Sequence, residues 1–227
     1  MMARFPAVGI GHHMFMPSTE VRRRRVRDLL QDGAVVTTAQ LTRYGLWSQI
    51  NVPAMQSRKV DSLTFVSVSG FDLPEDSNVL KASAALTELR SHVTQIARLR
   101  WSAMSRLTPH LHYSVIIDEA TGAIVEMVIV DRGERWSSLK RYLSQNELPH
   151  LIYLTYRSER AEQVRHWLQQ ELHSRAGMDW FAVSSVDIST PDSVPFVLSL
   201  WESEMAHAPK WLTEHAEPVT SEVALPR

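Results

Sequence analysis

The chain has 227 residues, a formal net charge of −1, 44% hydrophobic and 22% charged residues, and no cysteine. This is ordinary globular composition, enough for one large domain or two small ones. Without cysteine, disulfide frameworks, thiolate-bound zinc, iron–sulfur clusters and thiol nucleophiles are excluded, so any metal needs His and carboxylate ligands. The sequence has no apolar run of membrane-spanning length (about 18 residues or more), and its opening lacks the pattern of a secretory signal. The expectation is a soluble, cytoplasmic protein that meets no membrane.

The charge is unevenly spread. Residues 1–60 hold nine basic against three acidic side chains, a local +6, whereas the remainder holds 15 against 22, or −7. A basic opening on an acidic body points to a polyanionic partner for the first part. A solvated basic face is the plain alternative.

The first predicted element is a helix over 18–32, with Val26, Leu29 and Leu30 on one side and arginines around the others; Gly33 stops it. Ala34, Val35 and Val36 form a short apolar run. Thr37 and Gln40 then have the spacing of a capping box, opening a second helix that runs to Tyr44 before Gly45. Asn51 and Pro53 predict the start of a third helix reaching about residue 62, and the alternation of 63–69 predicts a strand turned by Gly70.

Helix, short strand, helix, turn, helix, strand is the order of a winged helix-turn-helix, expected to occupy 1–75 and to bind double-stranded DNA. The third helix would enter the major groove with Gln56, Ser57, Arg58 and Lys59. Arg22, Arg23, Arg24, Arg25 and Arg43 would lie along the phosphates.

Residues 71–77 predict a linker, and 78–104 one long amphipathic helix serving as core or dimer seam. Strands are predicted over 112–117 and 123–130, a helix over 136–146, a strand over 150–156, a helix over 158–176 and a strand over 179–186. This is a mixed sheet flanked by helices, an α/β (α+β) domain over 76–190. Residues 191–227 read as a proline-containing, partly mobile extension with a short helix near 197–205. Trp136, Trp167 and Trp180 sit at core positions, and His12 and His13 read as a flexible polar stretch.

Helix, strand, strand, helix, strand, with acid at the second strand's end, is the core plan of restriction-endonuclease-like folds. There a Pro-Asp and an acidic residue with a nearby Lys hold Mg or Mn to activate water. The corresponding pieces here are Thr108-Pro109-His110 and the run from Val125 through Glu126 to Gly133, with Lys140 following. The pattern departs at two ligand positions, having His110 where Asp belongs and Ile129 two residues before Asp131. Strand alternation also separates Glu126 from Asp131.

Through Val130-Asp131-Arg132-Gly133, the following Leu139, Lys140 and Tyr142, and Ser158-Glu159-Arg160-Ala161, the chain resembles the replication-relaxation proteins of bacterial mobile elements over about 21–172. That resemblance implies a winged helix joined to a degenerate nuclease domain. The implied role is a DNA-binding accessory or regulatory protein of a mobile-element assembly, with other element proteins as partners, no cofactor, and dimerisation or docking through the second domain.

Two further readings stay open. One is a metal-dependent deoxyribonuclease of the PD-(D/E)XK type using Glu126, Asp131 and Lys140. The other is a non-enzymatic protein–protein module with the 78–104 helix as its contact. His110 and His112 could clasp a transition metal with Asp131 nearby, although capped or surface histidines are commoner. Asp131-Arg132-Gly133 also has a structural reading: Asp caps the turn, Arg pairs with a helix carboxylate, Gly makes the bend. Glycine-rich phosphate loops, nucleophile elbows and His-Glu-x-x-His are missing.

Overall fold

The computed structural model describes residues 10–14, 19–47, 55–68, 71–93, 98–146, 148–174, 178–192, 196, 198–202, 208–213 and 216–219. Its opening elements are β1 (Ile10–Met14), α1 (Thr19–Gln31), β2 (Val36–Thr37), α2 (Thr38–Arg43), β3 (Met55–Val60) and β4 (Leu63–Val68). Gly33 ends α1 at φ +78°, and a Cβ there would lie 2.3 Å from the Phe71 ring, so only glycine lets the chain turn against that side chain.

The capping box forms as expected. The Gln40 N–H donates to Thr37 Oγ1 at 3.1 Å, and the Thr37 N–H to Gln40 Oε1 at 2.9 Å. The Thr37 hydroxyl also donates to the Ile188 carbonyl at 2.6 Å, tying α2 to a loop far along the chain. Thr37→Ala removes both roles at a buried site, and should lower the unfolding free energy by about 1–2 kcal/mol in urea denaturation.

The expected third helix is not formed over 55–60: those residues are β3, and 48–54 lie outside the described residues. Met55 to Val60 pair residue for residue with β4, from Met55 with Val68 to Val60 with Leu63. Asp61 takes a left-handed φ of 53° at the two-residue turn. Antiparallel pairing across a tight turn supplies hydrogen bonds that a short polar helix would find only within itself. With β2 on the other side of β4, the small sheet runs β2-β4-β3.

Helix α3 (Ser77–His92) opens on Asp76, whose carboxylate accepts from the Asn78 N–H at 2.7 Å. It ends 12 residues short of the expected helix, since Val93 is already extended at φ −96°, ψ 151°, and the apolar residues beyond feed a strand instead. Residues 94–97 lie outside the described residues. Small side chains at Ala82, Ala84 and Ala85 let neighbours approach closely from several sides, so α3 is buried almost all round, between α1 and the main sheet.

The later elements are β5 (Leu99–Trp101), β6 (Ser105–Arg106), β7 (Leu111–Asp118), β8 (Ile124–Asp131), α4 (Trp136–Gln145), β9 (His150–Thr155), α5 (Ser158–Ser174), β10 (Trp180–Ser185), β11 (Ser199–Glu202), α6 (Lys210–Thr213) and β12 (Ala216–Val219). Among the described residues nine strands form one mixed sheet, β12-β1-β11-β10-β9-β8-β7-β5, with β6 also on β7. β8, β9 and β10 are mutually parallel. The flanking pairs β7–β8 and β10–β11 are antiparallel.

Alternation gives the sheet two apolar faces. Ile116, Val128, Val130, Ile152, Leu154 and Ala182 pack toward α3 and α6. Ile129, Leu151, Tyr153, Phe181 and Val183 pack toward α4 and α5. Trp167 and Trp180 are buried and Trp136 is partly buried, as expected.

Two other expectations are corrected. His12 and His13 lie in β1, paired with β11 and β12, not in a flexible stretch. The 191–227 segment supplies β11, α6 and β12; β11 is a strand where a helix near 197–205 was expected, because β10 offers it an open antiparallel edge. The final eight residues lie outside the described residues. No helix among the described residues is long and apolar enough to cross a membrane.

Candidate functional site

The arginines of the basic segment divide into internal and external groups. Arg22 is 5% exposed and its Nη1 donates to His92 Nε2 at 3.1 Å. The His92 Nδ1–H in turn donates to the Glu88 carbonyl at 2.7 Å, since a carbonyl only accepts and a guanidinium only donates. Burial, the largest cause, pushes the His92 pKa down to about 3 and keeps the ring neutral.

Arg23 donates to the Tyr44 carbonyl at 2.9 Å and to Glu20 at 3.1 Å, and Arg25 to the Ser91 carbonyl at 3.4 Å. Arg43 has a side chain only 3% exposed, placed 3.5 Å from Glu88 and 2.8 Å from the Asp187 carbonyl. Burial therefore removes Arg22 and Arg43 from any duplex-facing surface; they hold α1 and α2 against α3 instead. Arg24 and Arg27 are exposed on α1. Gln56, Ser57, Arg58 and Lys59 are exposed on β3, in a hairpin and not on a helix, with Arg58 donating to the Pro74 carbonyl at 2.9 Å.

The nuclease-like pieces do not converge. Asp131 is fully buried on the α4–α5 face. Its Oδ1 accepts from the Gly133 and Glu134 N–H groups at 2.8 and 2.7 Å, and its Oδ2 from the Tyr153 hydroxyl at 2.5 Å and Arg160 Nε at 3.0 Å. Four donors saturate the carboxylate. Two parts of the structural reading of Asp131-Arg132-Gly133 hold, the cap and the bend at Gly133 (φ +114°). The third changes, because Arg132 bonds the side-chain amide of Asn78 and not a carboxylate.

Glu126 faces the opposite side of the sheet. It is 4% exposed, its Oε2 has no hydrogen-bond partner among the described residues, and its Oε1 is 4.0 Å from His150 Nδ1. Burial pushes its pKa up to about 7. Lys140 sits over the Trp136 and Trp167 rings, 5.6 Å from each centroid.

The histidine site is likewise dispersed. His110 is exposed and precedes β7. His112 is fully buried on the face opposite Asp131, because odd and even residues of β7 point opposite ways. Neither His112 ring nitrogen has a partner among the described residues, and burial, followed by the nearby Arg132 charge, holds its pKa down to about 4. Among the described residues no three His, Asp or Glu side chains are grouped to hold a metal ion.

The concave surface lies elsewhere. Asp131, Thr155 and Ser185 end their parallel strands level with one another, in Cα register. Beyond them open two clefts of about 640 and 580 Å³ that share Arg132, Tyr156 and Arg157. The larger also takes in Arg43, Lys81 and Ser158; the smaller takes in Arg160 and Glu134. The Tyr156 hydroxyl donates to the Lys81 carbonyl at 2.8 Å, fixing the β9–α5 loop between the clefts. Sequence reasoning passed over Arg157, although a lone arginine at a strand-to-helix junction is a usable cue for this location. No family model, curated protein or solved structure matches this chain.

Proposed function

We propose that this chain is a DNA-binding accessory protein of a mobile element, contacting duplex DNA through a winged helix-turn-helix that begins at α1 and ends with the β3–β4 hairpin, and cleaving nothing. The observation that carries the reading is the β3–β4 hairpin, whose outer strand presents Gln56, Ser57, Arg58 and Lys59 to solvent as a wing would. The order α1, β2, α2, β3, β4 and the small sheet β2-β4-β3 support it. Wings reach phosphates or a groove edge with basic side chains, and such contacts set affinity without needing a metal.

The order α3, β7, β8, α4, β9, with the short strands β5 and β6 between α3 and β7, supports a restriction-endonuclease-like second domain. The opposed faces of Glu126 and Asp131 and the saturation of Asp131 favour a non-cleaving one. The reading as a protein–protein module loses its natural contact, since α3 is enclosed within the chain.

Arg24→Glu, Arg58→Glu and Lys59→Glu together should weaken duplex binding and flatten the dependence of log affinity on log salt, by about 0.9 for each phosphate no longer neutralised. Fluorescence anisotropy across a salt series measures both. Unchanged affinity and slope would refute the wing as the DNA-binding surface.

A further inference from the structure

We propose that the cleft at the carboxyl ends of β8, β9 and β10 binds a terminal phosphate, as borne by a mononucleotide or by the 5′ end of a nucleic-acid strand, with Arg132 and Arg157 as its guanidinium arms. The cleft lies at the carboxyl ends of three adjacent parallel strands, beside the first turn of α5. The larger cleft, about 640 Å³, lies within the range of about 300–1,000 Å³ typical of small-ligand sites.

Its charges are unequally committed. Arg157 is exposed, and its side chain makes no ion pair or hydrogen bond among the described residues. Arg132 spends a donor on the neutral Asn78 amide, which orients the guanidinium without cancelling its charge. Arg43 lines the larger cleft with a side chain 3% exposed and an Nε that has no partner among the described residues.

Three of the nearby carboxylates are held by hydrogen bonds, whereas Glu159, on the smaller cleft, is exposed. Glu88 accepts from Gln40 at 2.9 Å, Asp187 from the Ser189 N–H at 2.7 Å, and Glu134 from Thr108 at 2.6 Å. The larger cleft is lined by four cationic side chains, Arg43, Lys81, Arg132 and Arg157, against two carboxylates, Glu88 and Asp187, which leaves an excess of positive charge.

Helix α5 adds to this. Its Ala161 N–H bonds the Arg157 carbonyl, so the amides of Ser158, Glu159 and Arg160 precede the first intrahelical bond and carry the positive end of the helix dipole. Planar guanidinium forks with helix-terminal amides match phosphate oxygens. Donors from successive strand ends suit a group with three free oxygens, which a phosphomonoester has and a phosphodiester lacks. The proposed donors Arg132 and Arg157 lie outside the β3–β4 hairpin, which contributes Leu63 to the wall of the larger cleft.

Calorimetric titration of the full chain tests it with four probes: a single-stranded oligonucleotide bearing a 5′-phosphate, the same strand with a 5′-hydroxyl, a nucleoside 5′-monophosphate and inorganic phosphate. The phosphorylated strand should bind about tenfold or more tightly than its hydroxyl counterpart, the usual effect of a charge-assisted contact. Arg157→Glu should abolish that preference while leaving the unliganded unfolding transition in place, since nothing in the fold leans on that side chain.

The variant with Arg24, Arg58 and Lys59 reversed should keep the preference, which separates this site from the duplex-binding surface. Mononucleotide binding as tight as the strand's would identify the free nucleotide as the source, and weaker binding would identify the strand end. Equal affinity for 5′-phosphate and 5′-hydroxyl, no binding of any phosphorylated probe at millimolar concentration, or a preference untouched by Arg157→Glu would each overturn the assignment.

Discussion

Asp131→Ala is expected to lower the unfolding free energy by about 3–5 kcal/mol, the range for removing one partner of a buried ion pair. In a chain of this size that corresponds to a fall in Tm of about 10 °C. The substitution strands the Gly133 and Glu134 amides, the Tyr153 hydroxyl and Arg160, whose side chain is only 14% exposed. Asp131→Asn keeps acceptor geometry but forfeits the charge, and should fall between. Calorimetric melting of the two variants checks this. An Ala variant within about 0.5 kcal/mol of wild type, the scatter of ordinary surface changes, would mean the carboxylate is not the hub described and would reopen a chemical role for it.

The second large effect is a pH-dependent stabilisation by Glu126→Gln. Burial raises the Glu126 pKa from 4.5 to about 7. A carboxyl with a raised folded-state value contributes fully below its unfolded value, and that contribution is lost as pH rises through the folded one. Between about pH 4.5 and 7 the wild type therefore loses stability that a Gln side chain, which never ionises, does not lose.

The shift corresponds to roughly 3 kcal/mol at pH 8 and nothing at pH 4. His92 works in the opposite sense. Its lowered pKa gives stability present above about pH 6.5 and lost as pH falls toward 3. The wild-type profile thus mixes the two, and the difference between variant and wild type isolates Glu126. Urea unfolding at pH 5 and pH 8 measures it; a difference that does not grow with pH contradicts a buried, ionising Glu126.

Elements with strong local signals were legible in the sequence. The Thr37–Gln40 box, the glycine stop at Gly33 and the strand–helix alternation from Leu111 to Ser185 all rest on contacts within a few residues or on a repeating apolar period. What could not be read depends on distant partners. β3 is stabilised by β4 across a turn, although its own residues carry little apolar pattern. β1 pairs with strands nearly 200 residues away, and no local feature of His12-His13 announces that.

The fate of the arginines was half legible. Arg22 shares a helical stripe with Val26 and Leu29, a spacing that predicts burial, yet a count of charges registers only sign. In the candidate site, alternation along β8 correctly set Glu126 and Asp131 apart, whereas the clefts needed three strand ends brought level by sheet register. That level rim is a property of pairing, and a single strand does not encode it.

The central claim, duplex binding without cleavage, is tested most directly by wild-type protein and labelled duplex DNA over a salt series in EDTA, followed by incubation with magnesium or manganese. Metal-independent binding whose affinity falls steeply with salt is expected, with the DNA intact after the metals are added. Binding that is absent or insensitive to salt, or strands cut once metal is supplied, would contradict the claim.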